Sequence, residues 1–165
     1  MDVALDSFGV LQVEPTDLCN LACRMCLPQL DRPGRVHGIP GGFMELDLFR
    51  RIFDDLAATD CRFDHVILQW MGDPALHPRL PELVGIAASR LRGRCQYLRV
   101  DTNGVLLDPQ RIDALVDAWL PSRELPLLVV FSLDAATPGT YAQVKGGDHL
   151  ARVQRNIRHL VDRRA

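Results

Sequence analysis

Four times along this 165-residue chain, a short apolar run is followed by helix-like material. The runs VLQVE (10–14), HVILQW (65–70), YLRVD (97–101) and PLLVVFSLD (126–134) read as strands. In MELDLFRRIFDDLAA (44–58), Leu46, Phe49, Ile52, Phe53 and Leu56 fall on one side at helical spacing. RLPELVGIAASRLR (79–92) carries Pro81 in its first turn, and DPQRIDALVDAWL (108–120) opens with an Asp N-cap followed by Pro. TPGTYAQV and LARVQRNIRHLVDRR supply the last helical material. Strand–helix alternation of this kind predicts an α/β fold with a parallel sheet and right-handed crossovers. The nearly unbroken apolar fourth strand is the pattern of a strand covered on both faces.

The polar motifs occupy a consistent place. Three cysteines follow the first strand, MGDP follows the second, TNG follows the third and SLD closes the fourth. All of these lie at the C-terminal ends of strands, the rim where α/β proteins bind ligands. DRPGRVHGIPGG (31–42) reads as a long glycine- and proline-rich loop of the functional sort. No sequence repeat, low-complexity segment or linker divides the chain, so residues 1–165 are expected to form one domain.

Composition narrows the function. Hydrophobic residues make up 47% and charged residues 24%, the balance of a globular domain. A formal net charge of −2 offers no general attraction to nucleic acid or to anionic lipid. The basic final stretch lacks interleaved aromatic residues and reads as a solvated face. The opening MDVALDSFGVLQVE has no basic start and apolar core, and LPLLVVF (125–131) is too short to span a bilayer. The expected location is the cytoplasm, with no membrane partner. Thiols stay reduced there, and clustered cysteines serve as ligands or catalysts.

CNLACRMC places Cys19, Cys23 and Cys26 at C-x₃-C-x₂-C spacing. Thiolates so close together suit an iron–sulfur cluster or zinc. Three ligands leave one iron of a four-iron cluster open to a non-protein ligand. At this motif the chain resembles the radical S-adenosylmethionine (SAM) superfamily. The resemblance implies a [4Fe–4S] cluster held by these three cysteines, with the amino and carboxylate groups of SAM's methionine on the fourth iron.

The resemblance extends over roughly residues 10–161. LQWMGDPALHP is similar to the family's G-G-E-P turn, with Gly72, Asp73 and Pro74 matching, Asp in place of Glu and Met71 in place of the first glycine. It implies that this backbone and Asp73 approach the methionine ammonium. VDTNGVLL resembles the third-strand turn and implies that Thr102, with Asn103, borders the substrate pocket. FSLDAATPGTYAQVKGG is similar to the SPASM-type subgroup that modifies peptides and matures enzymes; there Ser132 and Asp134 approach the SAM ribose and carboxylate. Met25 takes the position that packs against adenine. The implied fold is a partial TIM-type (β/α) barrel. The implied activity is reductive cleavage of SAM to a 5′-deoxyadenosyl radical that abstracts hydrogen from a substrate such as a peptide or protein. An electron donor such as flavodoxin or ferredoxin is the implied partner.

Local chemistry is compatible with these roles. Ser132 and Asp134, two apart on a predicted strand, point to one face together with Val130. Other readings stay open. Structural zinc with His37 as fourth ligand would make a non-enzymatic binding module, and a degenerate family member would bind the cluster only as a scaffold. Asp73-Pro74 and Asn103-Gly104 are also ordinary turn pairs, Asp134 also suits a helix cap, and Met25 also suits a core. Cys61 and Cys95 are expected as small buried apolar residues, and Trp70 and Trp119 as packing residues. His65, His77, His149 and His159 show no ligand spacing. The chain supplies four βα units where the family's barrel has six. The uncovered edge of the fourth strand predicts an N-terminal part of a longer barrel, or a partner across that edge.

Overall fold

The computed structural model describes residues 6–26, 35–36 and 39–164. His37 and half of the glycine-rich loop expected over 31–42 lie outside the described residues. The elements run in the order β1 (Ser7–Gln12), β2 (Arg35–Val36), β3 (Ile39–Pro40), α1 (Leu46–Ala57), β4 (Arg62–Ile67), α2 (Leu80–Leu91), β5 (Cys95–Thr102), α3 (Pro109–Trp119), β6 (Leu127–Phe131), α4 (Pro138–Lys145) and α5 (Leu150–Arg164). Strands β1, β4, β5 and β6 pair in that order, all parallel, while β2 and β3 form a small antiparallel pair. This is the expected α/β arrangement of βα units.

Local signals account for the helix ends. The Asp108 carboxylate accepts from the Arg111 N–H at 2.9 Å, and Pro109 follows it at the first helical position of α3. Thr137 caps α4, where its hydroxyl accepts from the Thr140 N–H. Gly146 then ends α4 in the left-handed region at φ 80°.

The core lies between the sheet and the helices. Phe49 and Phe53 of α1 are fully buried with ring centroids 4.5 Å apart, against Val66 of β4 and Leu83 of α2. Along β5, Leu98, Val100 and Thr102 are buried while the intervening Tyr97, Arg99 and Asp101 are only partly so. Alternation thus gives β5 one packed face and one polar face. On the polar face His65 stacks on Tyr97 at 4.8 Å, and Arg99 makes two bonds of 2.6 Å to Asp101. A second small cluster of Leu21, Val105, Tyr141, Leu150 and Val153 sits against Cys19 and Cys23.

Several expectations change. Strand β6 stops at Phe131, so Ser132 and Asp134 lie beyond it and strand alternation does not aim them. As the last strand of the sheet, β6 leaves Leu128 44% exposed; its apolar run does not reflect two covered faces here. Trp70 is 60% exposed on the turn after β4, whereas Trp119 packs as expected and donates from Nε1 to the Leu125 carbonyl at 2.7 Å. Cys61 and Cys95 are partly buried against the core. The basic face of α5 is partly docked: Arg163 bonds Asp117 at 2.5 Å, and His159 meets Asp113 at 2.9 Å. Among the described residues, no helix is long and apolar enough to cross a membrane.

Candidate cofactor site at the strand ends

Asp73 caps the short 3₁₀ turn Pro74–Leu76 that follows β4. Its carboxylate accepts from the Ala75 N–H at 2.9 Å, from the Thr102 hydroxyl at 2.9 Å and from the Asn103 N–H at 2.7 Å. The side chain is buried. Burial pushes its pKa up, and the donors from Asn103, Ala75 and Thr102 pull it back. Both carboxylate oxygens are therefore engaged in joining the turns after β4 and β5. The shorter Asp, in place of Glu, serves this inward position.

Thr102 follows the same logic. Its hydroxyl donates to Asp73 and accepts from the Gly104 N–H at 3.0 Å, and the residue is only 3% exposed. Thr102, expected to border the substrate pocket, lines the cavity at the strand ends while its hydroxyl braces Asp73. Asn103, expected beside it in the substrate pocket, lines the same cavity and also reaches the cysteine segment. Its Nδ2 donates to Asn20 Oδ1 at 2.9 Å and to the Cys19 sulfur at 3.8 Å, and its Oδ1 accepts from the Val105 N–H.

Gly72 explains how the cysteine turn is held. A Cβ there would lie 2.1 Å from the Thr16 carbonyl oxygen and 2.7 Å from the Asp17 carbonyl carbon, both backbone. Only glycine lets the two segments approach so closely. The contact is fixed by the Asp73 N–H, which donates to the Leu18 carbonyl at 2.8 Å. From the end of β1, Glu14 Oε1 accepts from the Met71 N–H at 2.6 Å and the Gly72 N–H at 2.9 Å. Glu14 was not singled out from the sequence. A carboxylate placed just after a strand and before Pro15 was the available sign.

The three cysteines lie on one irregular segment, Cys19 ahead of a turn in which the Cys26 N–H donates to the Cys23 carbonyl at 3.0 Å. Burial pushes all three thiols up. Each also raises a neighbour, Cys23 acting on Cys19, Cys26 on Cys23 and Cys19 on Cys26. They share a field without converging: among the described residues, no three His, Cys, Asp or Glu side chains could hold a single metal ion.

Lys145, the chain's only lysine, reaches this turn from the last position of α4. Its side chain is buried, and Nζ pairs with Asp134 Oδ2 at 2.6 Å; its charge pulls Cys23 and Cys26 down. Asp134 itself has φ 58°, a left-handed conformation that an L-residue rarely adopts, and Thr137 rather than Asp134 caps α4. Ser132 is exposed and joins β5 through its N–H, which donates to the Thr102 carbonyl at 2.9 Å. Met25 is 59% exposed, with its side chain free of the core. Cys19, Cys23, Gly72, Asn103, Ser132 and Lys145 all line one open cavity of about 160 Å³.

A parallel α/β sheet with a three-cysteine turn and glycine-tight loops at its strand ends defines a cofactor-binding βα scaffold. The model of the Radical SAM superfamily matches residues 13–164, and the chain belongs to that superfamily. Among its relatives, the GTP 3′,8-cyclase of Synechococcus sp. (strain WH7803) is 35% identical over 146 residues, spanning 84% of this chain and 37% of that protein. The GTP 3′,8-cyclase of Chlorobaculum tepidum is 29% identical, spanning 96% and 44%. The tungsten-containing aldehyde ferredoxin oxidoreductase cofactor-modifying protein of Pyrococcus furiosus is 31% identical, spanning 75% and 30%. The chain thus spans less than half the length of these relatives. The solved structure of native anSMEcpe with bound AdoMet superposes with a TM-score of 0.68 at 17% identity, covering 94% of this chain and 41% of that one. BtrN in complex with AdoMet and 2-DOIA gives 0.55 at 17% identity, covering 82% and 60%. These likenesses show the partial-barrel fold.

The superfamily's cofactors are a [4Fe–4S] cluster and SAM, and the residues present fit both. Three thiols within eight residues, each acting electrostatically on another, suit a cubane in which each thiolate would take a different iron. Tyr141 belongs to the small cluster against which Cys19 and Cys23 pack, and its fully buried hydroxyl has no hydrogen-bond partner among the described residues. An orphaned buried donor of this kind calls for an acceptor, which a cluster-bound thiolate would supply.

Proposed function

We propose that this chain is the cluster- and SAM-binding core of a radical SAM enzyme, acting in the cytoplasm. The observation that carries the reading is the gathering of Cys19, Cys23, Gly72, Asn103, Ser132 and Lys145 around one cavity at the strand ends. Cys19, Cys23 and Cys26 would ligate three irons. When bound, the cluster and SAM supply one-electron cleavage of the sulfonium to a 5′-deoxyadenosyl radical, which takes hydrogen from a substrate.

The chain's own residues bind and orient. The methionine part of SAM carries an ammonium and a carboxylate. Lys145 is the cation for the carboxylate, and the backbone at Met71–Asp73 is the acceptor surface for the ammonium. Asp73 positions that backbone through Thr102 and Asn103, and it borders the same cavity. Ser132 offers an exposed hydroxyl for the ribose, and Met25 an apolar side chain for adenine. Asn103 steadies Cys19.

The substrate we favour is a purine nucleotide, supported by several relatives named GTP 3′,8-cyclase. The likeness of the SLD segment to peptide-modifying enzymes supports a peptide as the second substrate to test. Flavodoxin or ferredoxin would deliver the electron. Further βα units of the same polypeptide would cover β6. That is supported by the apolar groove of about 580 Å³ along Leu127–Val129 and α5, and by the greater length of the relatives.

The test is anaerobic reconstitution with iron and sulfide, followed by dithionite and SAM. The expected result is a four-iron complement and formation of 5′-deoxyadenosine, faster with GTP than with peptides. Zinc without iron and sulfide, or a loaded protein that never yields 5′-deoxyadenosine, would overturn the reading.

A further inference from the structure

Tyr141 is completely buried, yet its hydroxyl is the one buried side-chain polar atom among the described residues without a hydrogen-bond partner. An unpaired buried hydroxyl is destabilising, and phenylalanine would fill the same space without that penalty. The side chain packs with Leu21, Val105, Leu150 and Val153, and Cys19 and Cys23 lie against this cluster. Cys23 and Asp134 are the ionisable groups whose charge reaches the phenol. Asp134 already holds Lys145 through Oδ2 at 2.6 Å. A protonated thiol is a weak acceptor, whereas a metal-bound thiolate is a strong, charge-assisted one.

The helix that carries Tyr141 is itself aimed at the cysteine turn. Tyr141 and Lys145 are four residues apart on α4, so they share one face. The end of α4 is pinned there because the Arg24 N–H donates to the Val144 carbonyl at 3.0 Å, and a Cβ on Gly146 would lie 2.9 Å from the Ala22 carbonyl oxygen. One helix face thus presents a phenol and an ammonium to the same loop.

We propose that the Tyr141 hydroxyl donates a hydrogen bond to the Cys23 thiolate of the loaded cluster and so sets its reduction potential. Tyr141 is a positioning and tuning residue, touching a ligand and not the reacting atoms. A donor on a cluster sulfur draws electron density from the irons and stabilises the reduced state, so its loss lowers the potential. The inference rests on the radical SAM reading above.

The test is a mediator titration of the anaerobically reconstituted full polypeptide, followed by the EPR signal of the reduced cluster. Tyr141→Phe keeps the ring, so a midpoint potential more negative than wild type is expected. Tyr97→Phe, on the far strand surface, should leave it unchanged. Placing 3-fluorotyrosine at position 141 makes a stronger donor and should move the potential the opposite way, which keeps the test informative if Tyr141→Phe loads poorly. A loaded Tyr141→Phe cluster with the wild-type potential, or a 3-fluorotyrosine protein whose potential does not rise, overturns the inference alone. A wild-type protein that assembles no [4Fe–4S] cluster overturns the radical SAM reading and the inference with it.

Discussion

The hydroxyl of Thr102 donates to the carboxylate of Asp73 at 2.9 Å, joining the turn after β5 to the turn after β4. Thr102→Val keeps the shape but removes the donor, leaving Asp73 with only its backbone partners in a buried setting. The expected loss is about 1–3 kcal/mol of unfolding free energy. Asp73→Ala strands three donors at once and should cost more than Thr102→Val. Urea denaturation of both variants checks the order; equal midpoints for wild type and Asp73→Ala would contradict the brace.

Gly72→Ala forces a methyl group against the Thr16 carbonyl, which is backbone and cannot swing away. Overpacking of this kind costs about 1–3 kcal/mol or more. The strain should displace the cysteine turn, so iron content after reconstitution is expected to fall along with the melting temperature. A variant that melts and loads like wild type would refute the close approach.

Lys145→Met removes the buried cation while keeping the length of the side chain. A charge-assisted bond to a ligand carboxylate is worth about 1.5–3 kcal/mol, so SAM affinity of the cluster-loaded protein should fall by roughly one to two powers of ten. Isothermal titration with SAM measures it. Lys145→Arg should recover part of the affinity, because it restores the charge.

Cys95 behaves differently from an exposed thiol. Burial pushes it up to about 11, and its thiol donates to the Tyr97 carbonyl at 3.6 Å. At pH 8 roughly one molecule in a thousand carries the thiolate there. Alkylation of native protein by iodoacetamide should therefore be slow at Cys95. It should speed up with pH until about 11, because only the ionised form reacts. Peptide mass mapping across pH 7–10 reads this out, and fast labelling at the low end would refute it.

Much of the frame was visible in the residues before folding. Asp108-Pro109 marked the start of α3 because a cap and a fixed φ act within one turn. The cysteine spacing marked its site because ligands within one loop keep their separation in sequence. What escaped notice depends on residues far apart in the chain. Asp73 and Thr102 meet only because β4 and β5 pair, and each alone reads as a turn residue. Lys145 sits at the end of an unremarkable helix, and its one visible sign was being the only lysine of the chain. The aim of Ser132 and Asp134 was misread because β6 ends one residue before Ser132, and periodicity carries no information past a strand's last rung.

The pinning of the α4 terminus onto Ala22 and Arg24 bears on how such a protein is made. A ribosome emits the thiols early, but the helix end that steadies them emerges only after β6 and α4 have been synthesised. Until then the nascent sulfurs have no fixed wall behind them. Insertion of inorganic iron and sulfide should therefore follow translation of this region rather than accompany it, leaving an interval in which the bare turn is open to oxidation.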